Sequence, residues 1–275
     1  MEEVLISLKT KRSTDFQLPA DSAYYQILLF KGAGSFQIDF TPYHFSDHTI
    51  LFLSPYQHLQ WLSPEDLEIN VLEFHGDFYC IEYHKKEVAC NGLLFNNIYL
   101  FPHITVPEND FHEILALFRK IGQEKDACDW CSTAVLKAYL QLILALCSKE
   151  KNNQLQNITP DEPSLEDIAK FQDLLEQHFL QEKGIAFYAA ALSLSTNAFS
   201  KKIRKQFGKT PTQLLQDRVV LEAKKLLHLT NKTIKEIAVA LNFEDEFYFS
   251  RYFKNKVGVS PAHYRKAVGI SIVAK

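Results

Sequence analysis

No run of this 275-residue chain is apolar enough to cross a bilayer. The most apolar stretch, Val135 to Cys147, is interrupted by Lys137 and Gln141 and is too short to span one. The chain opens on the acidic Met1-Glu2-Glu3 with no basic region ahead of an apolar one, so no secretory leader is expected. A cysteine framework is missing too. The 5 cysteines are odd in number and irregularly spaced, which fits a reducing compartment, and the expected location is the cytoplasm. There is no phosphate-cradling glycine loop, no dinucleotide fingerprint and no Gly-x-Ser-x-Gly elbow. In the region expected to form strands, histidines occur at His44, His48, His58, His75 and His84, but never as the His-x-His pair that gathers a metal. Neither a catalytic centre nor a bound metal or cofactor is expected.

The composition is that of a globular protein, with 47% hydrophobic and 23% charged residues, and the length suits two domains. The net charge of −3 conceals a strong asymmetry. Residues 1–183 carry 14 Lys+Arg against 27 Asp+Glu, whereas residues 184–268 carry 15 against 6. A basic segment attached to an acidic one is the footprint of a nucleic-acid-binding module with a partner domain.

From Tyr24 to Phe101 the chain reads as short strands. Tyr24–Phe30, Ser35–Phe40 and Thr49–Leu53 are aromatic and β-branched, and Gly32-Ala33-Gly34, Pro42 and Ser54-Pro55 between them are turn chemistry. Two further segments, Glu68–Phe74 and Phe78–Tyr83, are separated at Gly76-Asp77, and the whole set suggests a barrel or a double-sheet sandwich. The period then changes. Pro107–Ile121 places Phe111, Ile114, Leu115 and Phe118 on one helical face. Cys128–Cys147 reads as a second helix, apolar over more than one stripe, which requires burial on two sides within the chain or against a second copy. Cys128-Asp129-Trp130-Cys131 has the spacing of half a metal or redox site, but without a second pair it reads as helix core.

The polar, proline-marked residues 149–163 read as a linker between residues 1–148 and 164–275. Ser164-Leu165-Glu166-Asp167 then resembles a capping-box helix start. Beyond it lies an internal repeat. Ile185, Ala189, Leu192 and Leu194 return 49 positions later as Ile234, Ala238, Leu241 and Phe243. Ser200-Lys201, Ile203-Arg204 and Gly208-Lys209-Thr210-Pro211 return 50 positions later as Ser250-Arg251, Phe253-Lys254 and Gly258-Val259-Ser260-Pro261. The small alanines let two helices approach across a short turn. Ser195 and Asp245 are N-cap types, the glycines suit left-handed helix ends, and the prolines suit first helical positions. Two helix-turn-helix units follow, joined by a helix over Pro211–Leu229. Lys201, Lys202, Arg204, Lys205 and Lys209 cluster in the first unit, with Arg251, Lys254 and Lys256 in the second, as phosphate neutralisation requires.

These residues resemble the DNA-binding domain of the AraC/XylS family of bacterial transcription regulators. The resemblance rests on Lys235-Glu236-Ile237-Ala238, Phe243, Tyr248-Phe249-Ser250-Arg251-Tyr252-Phe253-Lys254 and Gly258-Val259-Ser260-Pro261 followed by Tyr264-Arg265. It implies an α+β multidomain chain, with an N-terminal cupin-like β-barrel or jelly-roll carrying two helices and a C-terminal all-α double helix-turn-helix domain. It also implies that Thr196, Asn197, Ser200 and Lys201 of the first recognition helix face bases, with Glu246, Phe247, Ser250 and Arg251 in the second. Double-stranded promoter DNA, RNA polymerase, a small-molecule effector and a second copy of the chain are the implied partners, with activation as the implied outcome. This chain departs from the family in having Ser193 and Asn242 where glycine is common in the turns, and in the acidic run Glu244-Asp245-Glu246. If the barrel encloses a ligand, His44, His58 and Trp61 are the candidate lining residues. The competing readings are a metal-dependent cupin enzyme and an architectural DNA binder without a sensor.

Overall fold

The computed structural model describes residues 5–39, 41–79, 93–95, 97–127, 132–156 and 164–270. They form two compact units, one drawn chiefly from residues 5–156 and the other from residues 164–266 with Ile98–Leu100. Among the described residues no helix is long and apolar enough to cross a membrane.

The first unit is built on an antiparallel sheet of six strands: β1 (Ile6–Arg12), β2 (Tyr25–Ile38), β3 (Thr41–Leu53), β4 (Leu59–Trp61), β5 (Glu68–Phe74) and β6 (His103–Thr105). Their order is β1-β5-β2-β3-β6, with β4 also pairing with β2. Both faces are buried, which explains why Ile27–Phe30 is continuously apolar rather than alternating. Ile27, Leu29, Ile50 and Phe52 turn toward the core shared with the helices. Leu28, Phe30, Phe36, Tyr43, Phe45 and Trp61 form a second cluster that is largely aromatic.

Strand boundaries differ from the sequence expectation in three places. Gly32-Ala33-Gly34 does not break the chain, because β2 runs through it. Gly32 adopts φ +144°, and a Cβ there would stand 2.9 Å from Leu67 Cδ1. At Gly34 a Cβ would stand 2.4 Å from Ser63 Oγ, which also accepts the Ser35 N–H at 2.6 Å. These glycines serve close approach within a strand, not a turn. Pro42 likewise lies inside β3, opposite Gln37 at the start of the strand, where a missing donor is tolerated. The hairpin instead turns at Asp39, φ +53°. Phe78 and Tyr79, expected in a strand, are buried in a turn after His75, and residues 80–83 lie outside the described residues.

Helices α1 (Glu108–Ala127) and α2 (Ser132–Gln156) cover one sheet face. Phe111, Ile114 and Phe118 are buried as their spacing predicts. Leu136, Leu140, Ile143, Leu144 and Cys147 of α2 join them, whereas Leu142 is exposed. The expected linker start at 149 is overtaken by α2, which continues to Gln156. There the Lys151 ammonium is buried and donates to the Phe101 and His103 carbonyls, while Gln154 donates to Thr105 O. The helix end thus occupies carbonyls along β6 that would otherwise template further pairing. Cys128–Cys131 and residues 157–163 lie outside the described residues.

The second unit is helical: α3 (Ser164–His178), α4 (Ile185–Ala191), α5 (Thr196–Phe207), α6 (Pro211–Leu229), α7 (Ile234–Ala240), α8 (Glu246–Val257) and α9 (Pro261–Val268). The backbone bonds of the two turns match. After α4, Leu194 N donates to Ala189 O; after α7, Phe243 N donates to Ala238 O, each at 2.9 Å. Ser193 and Asn242 occupy the same left-handed position, φ +56° and +57°. The additional residue of the second copy is Glu244, between Phe243 and the N-cap Asp245. Asn242 uses its side chain as well, donating from Nδ2 to Leu180 O at 3.2 Å, and its own carbonyl accepts Lys183 Nζ at 2.6 Å. No comparable bond serves Ser193 among the described residues. Replacing a non-glycine residue in this conformation with glycine removes a cost of about 1 kcal/mol, less the extra freedom of the unfolded chain. Ser193→Gly is therefore expected to raise stability by about 0.5 kcal/mol and Ser193→Val to lower it, as read from urea midpoints.

Candidate nucleic-acid interface

Helix α5 starts where the Ser195 hydroxyl accepts the Ala198 N–H at 3.2 Å, and α8 where Asp245 Oδ1 accepts the Tyr248 N–H at 2.7 Å. Both end on left-handed glycines, Gly208 at φ +68° and Gly258 at φ +85°. Phe199, Ile203 and Phe207 of α5 are buried at helical spacing, and Phe249, Phe253 and Val257 of α8 are their counterparts. Ala189 and Ala238, both fully buried, let the first helix of each unit lie close to the second. Burial of one stripe turns the opposite stripe outward.

That outward stripe carries the residues singled out in the sequence. In α5, Thr196, Asn197, Lys201, Arg204 and Lys205 are exposed and Ser200 is half-buried. In α8, Phe247, Arg251 and Lys254 are exposed, and Glu246 and Ser250 are half-buried. Lys201, Arg204, Arg251 and Lys254 make no ion pair among the described residues, so their charge faces outward uncompensated. Lys202 and Lys209 are placed differently. The Lys202 ammonium is bonded to Asp167 of α3, and that of Lys209 to Asp217 of α6 at 2.7 Å. Both lysines hold neighbouring helices together. Of the acidic run, Asp245 is occupied as the N-cap, where its charge meets the helix dipole favourably.

The unit-joining helix α6 is opened by a capping box between Thr210 and Gln213, with Pro211 at its first position. Its 19 residues span about 28 Å, against about 34 Å for one duplex turn.

A helix-turn-helix domain family matches residues 188–267. The matched stretch spans the two helix-turn-helix units and the helix between them. It is similar to the HTH-type transcriptional activator RhaR of Enterobacter sp. (strain 638), with 24% identity over 244 residues, 87% of this chain and 83% of that protein. It is 35% identical over 94 residues to the uncharacterized HTH-type transcriptional regulator YisR of Bacillus subtilis (strain 168), covering 34% of this chain and 33% of that protein. Among solved structures, ToxT from Vibrio cholerae O395 is similar over 97% of this chain and 99% of that one, at 17% identity and a TM-score of 0.41.

The helix-turn-helix domain also uses residues to which the sequence assigns no role. Arg218 of α6 bonds Glu176 of α3 at 2.8 Å and Glu222 at 3.1 Å, with its guanidinium 4.0 Å from the centre of the Phe179 ring. Arg265 Nε donates to Leu227 O at 3.1 Å and so caps the end of α6. The Arg218–Glu176 and Arg265–Leu227 contacts join residues 42 and 38 apart in sequence and have no local signature. For Tyr248 the reason is different. An aromatic residue at a helix start reads by default as core, yet this one is 52% exposed.

In the N-terminal unit the three candidate ligand-lining residues are not brought together. Trp61 is buried in the aromatic cluster, but His44 lies between the buried Tyr43 and Phe45 of β3 and so faces the opposite way. His58 is half-exposed, 3.8 Å from Asp21. The residue that does approach Trp61's cluster is His103, with its ring 5.5 Å from Phe36 and 6.0 Å from Tyr43. Trp61 Nε1 and His103 Nδ1 are both buried without a hydrogen-bond partner among the described residues. Burial, reinforced by the nearby Lys151 charge, pulls the His103 pKa down to about 4. Burial likewise lowers Lys151 to about 8.

Proposed function

We propose that this regulator places α5 and α8 in successive major grooves on one face of promoter DNA and activates transcription in response to a small molecule. The observation that carries the reading is the pair of matching, outward, basic helix faces in the two units that α6 joins. Lys201, Arg204, Arg251 and Lys254 neutralise phosphates, while Thr196, Asn197, Ser200, Glu246, Phe247 and Ser250 lie where a helix start meets base edges. Residues 164–275 carry this role in a cytoplasmic protein, and the named activator RhaR supports contact with RNA polymerase. Genome-wide mapping of sites occupied by the full chain tests it. Discrete peaks at promoters sharing a two-part motif are expected, and occupancy without sequence preference would overturn it.

Residues 1–148 are proposed to sense the effector. Unpaired buried polar atoms are costly, and the donor Trp61 Nε1 with the neutral imidazole of His103 beside an aromatic cluster supports a ligand that supplies their partners. The exposed Leu142, with half-buried Val135, Tyr139 and Leu146 on α2, supports a homodimer contact along that helix. His103 also dictates a pH response. Between pH 6.5 and about 4 the unfolded chain binds a proton that the folded imidazole refuses, so stability falls as pH falls through that window. The loss amounts to about 3 kcal/mol once both states are protonated. Urea midpoints measured from pH 7.5 to 4 are expected to fall less in His103→Gln than in the parent.

A further inference from the structure

Phe247 is 72% exposed at the second position of α8, and no other ring packs on it among the described residues. Fifty positions earlier stands Asn197, second in α5 and also exposed. The two helices begin with the same cap, so these side chains leave from equivalent points of the two units. On the same face as Phe247, Arg251 and Lys254 follow one and two turns on, both exposed and cationic. A large apolar side chain framed by phosphate-seeking charges fits a nucleic-acid groove better than an apolar protein partner.

We infer that Phe247 reads the 5-methyl group of a thymine while Asn197 reads a base edge by hydrogen bonds, so the two halves of the operator are chemically unlike. The inference rests on the DNA-binding reading above. Its physical basis is that the thymine methyl is the apolar group on major-groove base edges, whereas Asn pairs with the N6 and N7 of adenine. An apolar side chain at that position therefore discriminates thymine by burying its methyl group, and a deoxyuridine in its place loses that contact while keeping every hydrogen bond.

The test uses the full chain and a random duplex pool to select a preferred site, in which each thymine of either half is then replaced singly by deoxyuridine. In one half-site a single replacement is expected to weaken binding about three- to fivefold, the value of one buried methyl group. Phe247→Ala is expected to bind the thymine site more weakly and to bind the thymine and deoxyuridine sites equally. Asn197→Ala is expected to retain the difference. The substitution at Phe247 is at an exposed position, so folding is not at issue. If no replacement weakens binding, or if Phe247→Ala still prefers thymine, the inference is overturned while the DNA-binding reading stands. Selection of no preferred site at all would overturn both.

Discussion

Lys201→Ala combined with Arg204→Ala is expected to lower affinity for the selected duplex at least tenfold near 150 mM salt. It should also flatten the plot of log affinity against log salt by about two. Both side chains are exposed one turn apart on α5 and make no ion pair among the described residues, so their counter-charge on binding comes from phosphates. Each neutralised phosphate contributes about 0.9 to the salt slope, and the two losses add because the sites act independently. Lys202 and Lys209 form the control. Their ammoniums are committed to Asp167 and Asp217, so alanine there should lower folding stability more than it changes the salt slope. Fluorescence anisotropy across a salt series separates the two. An unchanged slope in the Lys201/Arg204 variant would mean that α5 does not face the backbone.

Phe253→Ala is expected to cost about 3–5 kcal/mol of stability in the helical unit, the largest effect of any single change considered. Phe253 is wholly buried, with its ring 6.0 Å from Phe249 and edge-on to Tyr264 of α9 at 5.6 Å. It joins the second recognition helix to the helix after it, and alanine leaves a void that neither neighbour can fill without leaving its own site. Calorimetry should show a shifted transition and weakened DNA binding under conditions where Phe247→Ala still folds normally. A shift of less than 1 kcal/mol would show that the neighbouring rings repack.

The helical unit was legible in the sequence because its signals are local. The caps at Ser195 and Asp245, the prolines at 211 and 261 and the glycines at 208 and 258 each act within a few residues, and the repeat states them twice. Even the one-residue offset resolves to a named position, Glu244. The sheet was less legible because its glycines answer to partners about thirty residues away, Ser63 for Gly34 and Leu67 for Gly32. Read alone, a Gly-Ala-Gly looks like a turn. The end of α2 was missed for a similar reason, since Lys151 is polar in sequence but bonded to carbonyls fifty and forty-eight residues earlier. In the candidate interface, the sequence could not tell which lysines were already occupied, as Lys202 and Lys209 are by Asp167 and Asp217. His103 carried no motif at all.

The bond from Lys183 to the Asn242 carbonyl, and from Asn242 back to Leu180, ties the loop ahead of the first helix-turn-helix unit to the turn of the second. The Lys183 ammonium also sits 4.4 Å from the centre of the Phe243 ring. With α6 as one span and this latch as another, the two reading helices are braced at two places instead of hung on a single rod. Such a frame is a fixed gauge, whose setting is held by bonds within the helical unit itself.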